Sequence, residues 1–143
     1  MAIAISGGST SFTSTISASP SANRTVTVPD ATFTVAGSDA AQTFTASQRG
    51  TVTTDNDGSF NMNVTNNFKC TPTGSITLTF TNITAGQSGF ILLVNGSNYT
   101  ISAAATTEVA SGALAAMSVT GTYLLSYFSD GTNVFVVNSG ALA

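Results

Sequence analysis

Polar and apolar residues alternate along most of this chain, and that pattern predicts strands. Thr25-Val26-Thr27-Val28 runs into Pro29-Asp30, and Ala31-Thr32-Phe33-Thr34-Val35-Ala36 resumes the alternation. A strict period of two marks a strand with one apolar and one polar face. Residues 42–46 and 50–54 read as two more, and Phe60-Asn61-Met62-Asn63-Val64 alternates again after Asp55-Asn56-Asp57-Gly58. That tetrapeptide is a turn, because Asn and Asp accept left-handed backbone and Gly meets no steric objection to it. Ser75-Ile76-Thr77-Leu78-Thr79-Phe80-Thr81 is the clearest strand, with Ile76, Leu78 and Phe80 on one side and threonines on the other. Phe90-Ile91-Leu92-Leu93-Val94 follows the Gly86–Gly89 turn, and Asn95-Gly96 predicts a hairpin into Tyr99-Thr100-Ile101. Residues 103–117 read as a loop holding one short strand or helical turn, since their alanines favour helix but capping residues are lacking. Residues 122–128 and 133–137 pair across Ser129-Asp130-Gly131-Thr132.

Many short strands with closely spaced turns predict an all-β fold, an antiparallel β-sandwich or jelly-roll-like domain. No exact internal repeat is visible. Residues 1–23 carry no charge and are dense in Ser, Thr, Gly and Ala, with only short alternations. They read as an extended N-terminal arm, ordered by docking on a neighbour or left mobile, which leaves residues 24–143 as the sandwich domain. A sandwich strand needs apolar residues on one face only. Residues 90–94 and 134–137 are apolar on both, so a loop, the arm or another subunit must cover the second face.

Composition narrows the function classes. The 143 residues include three basic and six acidic side chains and no histidine, while Ser and Thr make up almost a third. Arg24, Arg49 and Lys69 lie far apart in sequence, which argues against nucleic-acid binding, because phosphate contact needs clustered positive charge. Hydroxyls and amides solvate a surface well but repel copies poorly, and such a surface suits a protein that lives in an assembly. No apolar run approaches the ~20 residues that span a bilayer, so no membrane partner is expected. No basic residue precedes Arg24, so the start does not read as a secretion leader, and synthesis in the cytoplasm is expected.

Candidate chemistry is sparse. A serine nucleophile needs a histidine or lysine to take its proton, and Lys69 is the single lysine. Cys70 has no cysteine to pair with and reads as a small buried hydrophobe. Asp55 and Asp57 sit in a turn of ordinary composition, and the later acidic ligand of a calcium loop is missing. One cysteine and no histidine argue still more strongly against zinc. Five N-x-S/T triplets, at Asn23, Asn63, Asn82, Asn95 and Asn98, are what chance yields in a chain this rich in Asn, Ser and Thr. No catalytic, cofactor or metal site is therefore expected, and the chain is read as a non-enzyme without cofactors.

Two stretches resemble bacteriophage virion proteins. Ser21-Ala22-Asn23-Arg24-Thr25-Val26-Thr27-Val28-Pro29-Asp30-Ala31 resembles a segment of tail-fibre and related structural proteins, in which a strand ends at a Pro-Asp turn. Residues 75–101, with Gly86-Gln87-Ser88-Gly89 and Asn95-Gly96, are similar to a β-domain of tailed-phage fibres and capsid-associated proteins, and residues 121–137 follow the same pattern. The resemblance implies a non-enzymatic virion component acting as a homotrimer. Within that class the short chain and its arm favour a capsid decoration or cement protein on the capsid surface, made in the host cytoplasm and partnered by the major capsid protein. Ile3, Ile5, Phe12 and Ile16 are then expected to dock on the shell, and Phe90, Leu92, Val134 and Val136 to form the subunit contact. The alternative is a tail fibre or receptor-binding tip whose loops contact a host surface glycan.

Overall fold

The computed structural model describes residues 47–143, which fall within one compact unit, Phe44–Ala143. The expected arm, residues 1–23, and the start of the expected domain at residue 24 lie outside the described residues. So do the alternating segments between residues 25 and 46. The elements run β1 Val52–Thr54, β2 Ser59–Asn61, β3 Asn67–Cys70, β4 Ile76–Thr81, β5 Ser88–Asn95, β6 Ile101–Ala103, β7 Thr107–Val109, α1 Ala113–Met117, β8 Gly121–Ser129 and β9 Val134–Leu142.

The antiparallel sandwich or jelly-roll expected from the alternation does not form. The chain winds instead into a small β-solenoid of about three parallel turns. β1, β3 and β5 pair in parallel on one side, and β2, β4 and β6 pair in parallel on the other. Parallel neighbours need a crossover connection between them, and here the strand of the opposite sheet provides it. Each coil places a strand in one sheet, turns a corner, places a strand in the other and returns one level along. Val52 pairs with Asn67 and Asn67 with Phe90, so the coils differ in length. The absence of an exact sequence repeat follows from that.

The third coil is closed by antiparallel chain. β8 pairs with β5, β9 with β8, and β7 lies parallel to the outer side of β9. The larger sheet therefore has six strands in the order β1-β3-β5-β8-β9-β7, and the smaller has three, β2-β4-β6. The β8–β9 hairpin turns at Ser129-Asp130-Gly131-Thr132, where the Asp130 Oδ1 accepts the backbone N–H groups of Thr132 and Asn133 at 2.8 and 2.7 Å. The region expected as a loop with one short element holds two, β7 and the single-turn α1. Met117 at the end of α1 is fully buried. Ser118 ties the helix to the coil, its hydroxyl accepting from the Ile101 N–H and donating to the Leu114 carbonyl.

One core fills the space between the sheets. Inward side chains stack in rows across the coils, as a solenoid requires: Phe68, Ile91 and Leu125 are in register in the larger sheet, as are Cys70, Leu93 and Tyr123. Phe60 and Phe80 are paired in the smaller sheet. Their rings join the two sheets, with Phe60 5.1 Å from Phe68 and 5.5 Å from Phe80, and Phe80 5.1 Å from Tyr127. The tilted rings add roughly 0.5–1.5 kcal/mol per pair beyond the area they bury.

Two residues explain how the coils close. Asn95-Gly96, expected as a two-residue hairpin, is the corner between the sheets. Asn95 is buried, its amide N–H groups donating to the carbonyls of Tyr99 and Met117 at 2.8 and 2.9 Å, and its oxygen accepting from the Tyr99 N–H. The side chain thus pairs backbone groups that a corner would otherwise leave unmatched. Gly89 lets β5 approach the preceding coil. A Cβ there would lie 1.7 Å from the Asn66 carbonyl oxygen, which accepts both the Phe90 N–H and the Tyr127 hydroxyl at 3.0 Å.

Candidate interaction surface

The two sheets turn very different faces outward. The smaller sheet presents Ser59, Asn61, Thr77, Thr79, Thr81 and Ser102, opposite in parity to its buried Phe60, Leu78 and Phe80. The Thr77 and Ser102 hydroxyls share a hydrogen bond of 2.8 Å across the strands. The larger sheet presents apolar side chains in register. Phe90 stands opposite Ser126, which stands opposite Val137; Leu92 stands opposite Leu124; Phe128 stands opposite Phe135. Phe90 and Phe128 are each 52% exposed and Val137 55%. Large apolar side chains recur in all three rows, interrupted by Ser126 in the first, and form a patch of the kind that marks an interaction site.

The patch has internal relief. Over β1, β3 and β5 lies an apolar cleft of about 390 Å³ between Val52, Asn67, Phe90, Leu92 and Leu124, with Lys69 at its side. Over β8 and β9, Phe128 and Phe135 are cross-strand partners and both are exposed. Among the described residues the strands of this face carry one cation and one anion: Lys69 beside Leu92, and Glu108 on β7 beside Phe135. They occupy opposite halves.

The four expected subunit-contact residues divide evenly. Phe90 and Leu92 lie on this outer face, Phe90 exposed and Leu92 half-buried. Val134 and Val136 point the other way and are buried in the chain's own core. Their strand neighbours Phe135 and Val137 hold the outward positions. Both parities of residues 134–137 are apolar, so alternation leaves the choice open. The structure also adds Val52, Leu124 and Phe128, which the sequence reading passed over. The signal was there in Leu124-Leu125 and Tyr127-Phe128, which make β8 apolar on both sides like its neighbours. Ile3, Ile5, Phe12 and Ile16 lie outside the described residues.

The remaining candidate chemistry falls on structural groups. Cys70 is buried, and burial, with the charges of Asp55 and Asp57 adding to it, pushes its thiol up to about 12. It stays protonated at neutral pH and is a poor nucleophile. Asp55 is raised by burial and by the side chain of Asp57; Asp57 is lowered by its hydrogen bond with Asp55 and by the Ser59 N–H at 2.8 Å. The pair braces the corner between β1 and β2. Among the described residues no three His, Cys, Asp or Glu side chains come together as a metal site, and no helix is long and apolar enough to cross a membrane. Asn95, one of the five N-x-S/T acceptors, is only 1% exposed with its amide fully engaged. No protein-family model matches the chain, and no curated protein or solved structure matches it either.

Proposed function

We propose that this chain is a non-enzymatic structural protein of a bacteriophage virion that works as a homotrimer, its copies meeting through the outer face of the six-stranded sheet. The observation that carries this reading is the apolar face itself, exposed on a molecule whose opposite face is hydroxyl-rich. Burial of apolar surface contributes about 25 cal/mol per Å² before association costs are subtracted, so water strongly favours covering this face. The phage assignment comes from the resemblance of residues 21–31, 75–101 and 121–137 to virion proteins. Within the virion, the reading is a capsid decoration or cement protein that bridges subunits of the major capsid protein. Cementing adds buried contact across capsid seams, so that outward genome pressure must break more of it.

A specific feature favours a second reading, a tail fibre or receptor-binding tip that contacts a host surface glycan. Parallel coils stacked along one axis can be extended by adding further coils, an arrangement suited to a fibre. The copy number per purified virion separates the two. Hundreds of copies support decoration, and tens or fewer support a fibre or tip. Absence of the chain from purified virions removes both.

A further inference from the structure

We propose that Asn95-Gly96, at the corner between β5 and β6, is a latent modification site. The fold holds it shut, and once the corner opens Asn95 loses its amide in a one-way step whose product no longer fits the native structure. The site needs neither the apolar face nor any partner.

Asn95-Gly96 is the single Asn-Gly pair in the sequence. A glycine leaves the backbone nitrogen after an asparagine uncrowded and its main chain free to turn, so that nitrogen can reach the side-chain carbonyl carbon. In the reaction the Gly96 nitrogen bonds the Asn95 Cγ, the bond from Cγ to Nδ2 breaks, and ammonia leaves with the proton of the Gly96 N–H. Water then opens the five-membered ring at either carbonyl. The product is aspartate, or isoaspartate with the main chain running through Cβ and Cγ. An amide and water have become a carboxylate and ammonium, with no oxidant or reductant involved. Gly96 and Ser97 are exposed, so solvent reaches the corner. What holds the reaction off is the Asn95 side chain itself, which is buried. Its Nδ2 donates to the Tyr99 and Met117 carbonyls at 2.8 and 2.9 Å, and its Oδ1 accepts the Tyr99 and Ser97 N–H groups at 3.1 and 3.4 Å. The ring cannot close until these bonds let go. Releasing two buried hydrogen bonds leaves the corner open in about one chain in thirty. The product cannot take back the same place, because a carboxylate only accepts hydrogen bonds. At position 95 it faces the Tyr99 and Met117 carbonyls, acceptor against acceptor in a buried site. Isoaspartate also lengthens the main chain at the corner, which disturbs the register of Ile101 against Ile76 in the next strand.

The test incubates the full-length chain in mildly alkaline buffer, folded and urea-unfolded side by side, and follows position 95 by peptide-mapping mass spectrometry. Conversion is expected to be about thirtyfold slower, or more, in the folded chain. Equal rates in the two states would overturn the gating. A Cβ at Gly96 meets nothing within 4 Å, so Gly96→Ala keeps the fold, and it is expected to slow conversion of the unfolded chain at least about tenfold. An unchanged rate would mean that the Gly96 nitrogen is not the attacking group. The one-way step is read from Asn95→Asp, compared with Asn95→Ala in urea titrations at neutral pH followed by circular dichroism. Asn95→Asp is expected to unfold at lower urea than Asn95→Ala, or not to fold at all, because a carboxylate repels the carbonyls that alanine merely leaves unpaired. A midpoint at or above that of Asn95→Ala would show that the product is accepted by the fold, and the proposal fails.

Discussion

The outer faces of the two sheets share one core and one alternation, yet they differ in every property that governs contact with water. On β4 the outward positions are Thr77, Thr79 and Thr81. On β5, in the same coil system, they are Phe90, Leu92 and Val94, and across the third coil they continue as Leu124 and Phe128. Folding alone requires neither choice, since the inward rows supply the core in both sheets. The hydroxyl face is what a solvent-facing parallel sheet can tolerate: short, hydrogen-bonded across strands and uncharged. The apolar face is what a sheet shows when something else will cover it. The solenoid is therefore two-sided, one side finished and one side awaiting a neighbour.

Breaking the shared core should abolish the difference altogether. Phe80 touches Phe60 on its own sheet and Tyr127 on the other. Phe80→Ala is expected to destabilise the fold by about 4 kcal/mol, with both sheets melting together in a urea titration followed by circular dichroism and by tyrosine fluorescence. Two separated transitions would mean that the sheets are independent. Loosening the corner between the faces comes next. Asn95→Ala leaves the buried carbonyls of Tyr99 and Met117 without their amide donor and is expected to cost about 2 kcal/mol, read from the same titration at fixed protein concentration. A change under half of that would mean the corner is not held by its side chain.

Altering one face at a time sharpens the contrast. Phe128→Thr on the larger sheet should change the stability of the isolated chain by about 1 kcal/mol or less, because the ring is half exposed, while weakening self-association at least tenfold. Thr81→Val on the smaller sheet is expected to stay within about 0.5 kcal/mol and leave association unchanged, both by sedimentation velocity. Equal effects on association would erase the distinction between the faces.

The smallest effect is electrostatic. The backbone N–H groups of Asn133 and Thr132 hold the Asp130 carboxyl below the usual 3.8. The unfolded chain then takes up this proton more readily than the folded one, so the stabilisation is present above the unfolded value and is lost as pH falls through the lower, folded value. Asp130→Asn should flatten the acid limb of a thermal melt series below about pH 4 and leave the neutral region nearly unchanged. A mutant curve steeper in acid than the wild type would contradict the assigned sign.

Much of the local structure was legible and most of the pairing was not. The strand at residues 76–81, its buried face of Leu78 and Phe80 and the β8–β9 hairpin all follow from period-two alternation and turn chemistry. Alternation is silent about which strand lies alongside. A corner such as Asn95-Gly96 has the composition of a hairpin turn, and only the side-chain bonds of Asn95 to Tyr99 and Met117 reveal that the chain crosses to another sheet. β3 was missed because four residues, Asn67-Phe68-Lys69-Cys70, are too short for a pattern, although they form the middle rung of the larger sheet. At the candidate surface, Phe90 and Leu92 were legible as one side of a doubly apolar strand. In β9 both sides qualify, and only the register with β8, Val134 opposite the buried Ser129 and Val136 opposite the buried Tyr127, turns Val134 and Val136 inward and Phe135 and Val137 out.

The most direct test is the native mass of the isolated full-length chain followed on dilution, with wild type and the Phe128→Thr, Phe135→Thr double substitution side by side. A wild type that runs at three times 14.4 kDa and dissociates only at low concentration, beside a folded monomeric mutant, is the expected result. A wild type that remains at 14.4 kDa across the whole range would show that the apolar face is not covered by copies of this chain.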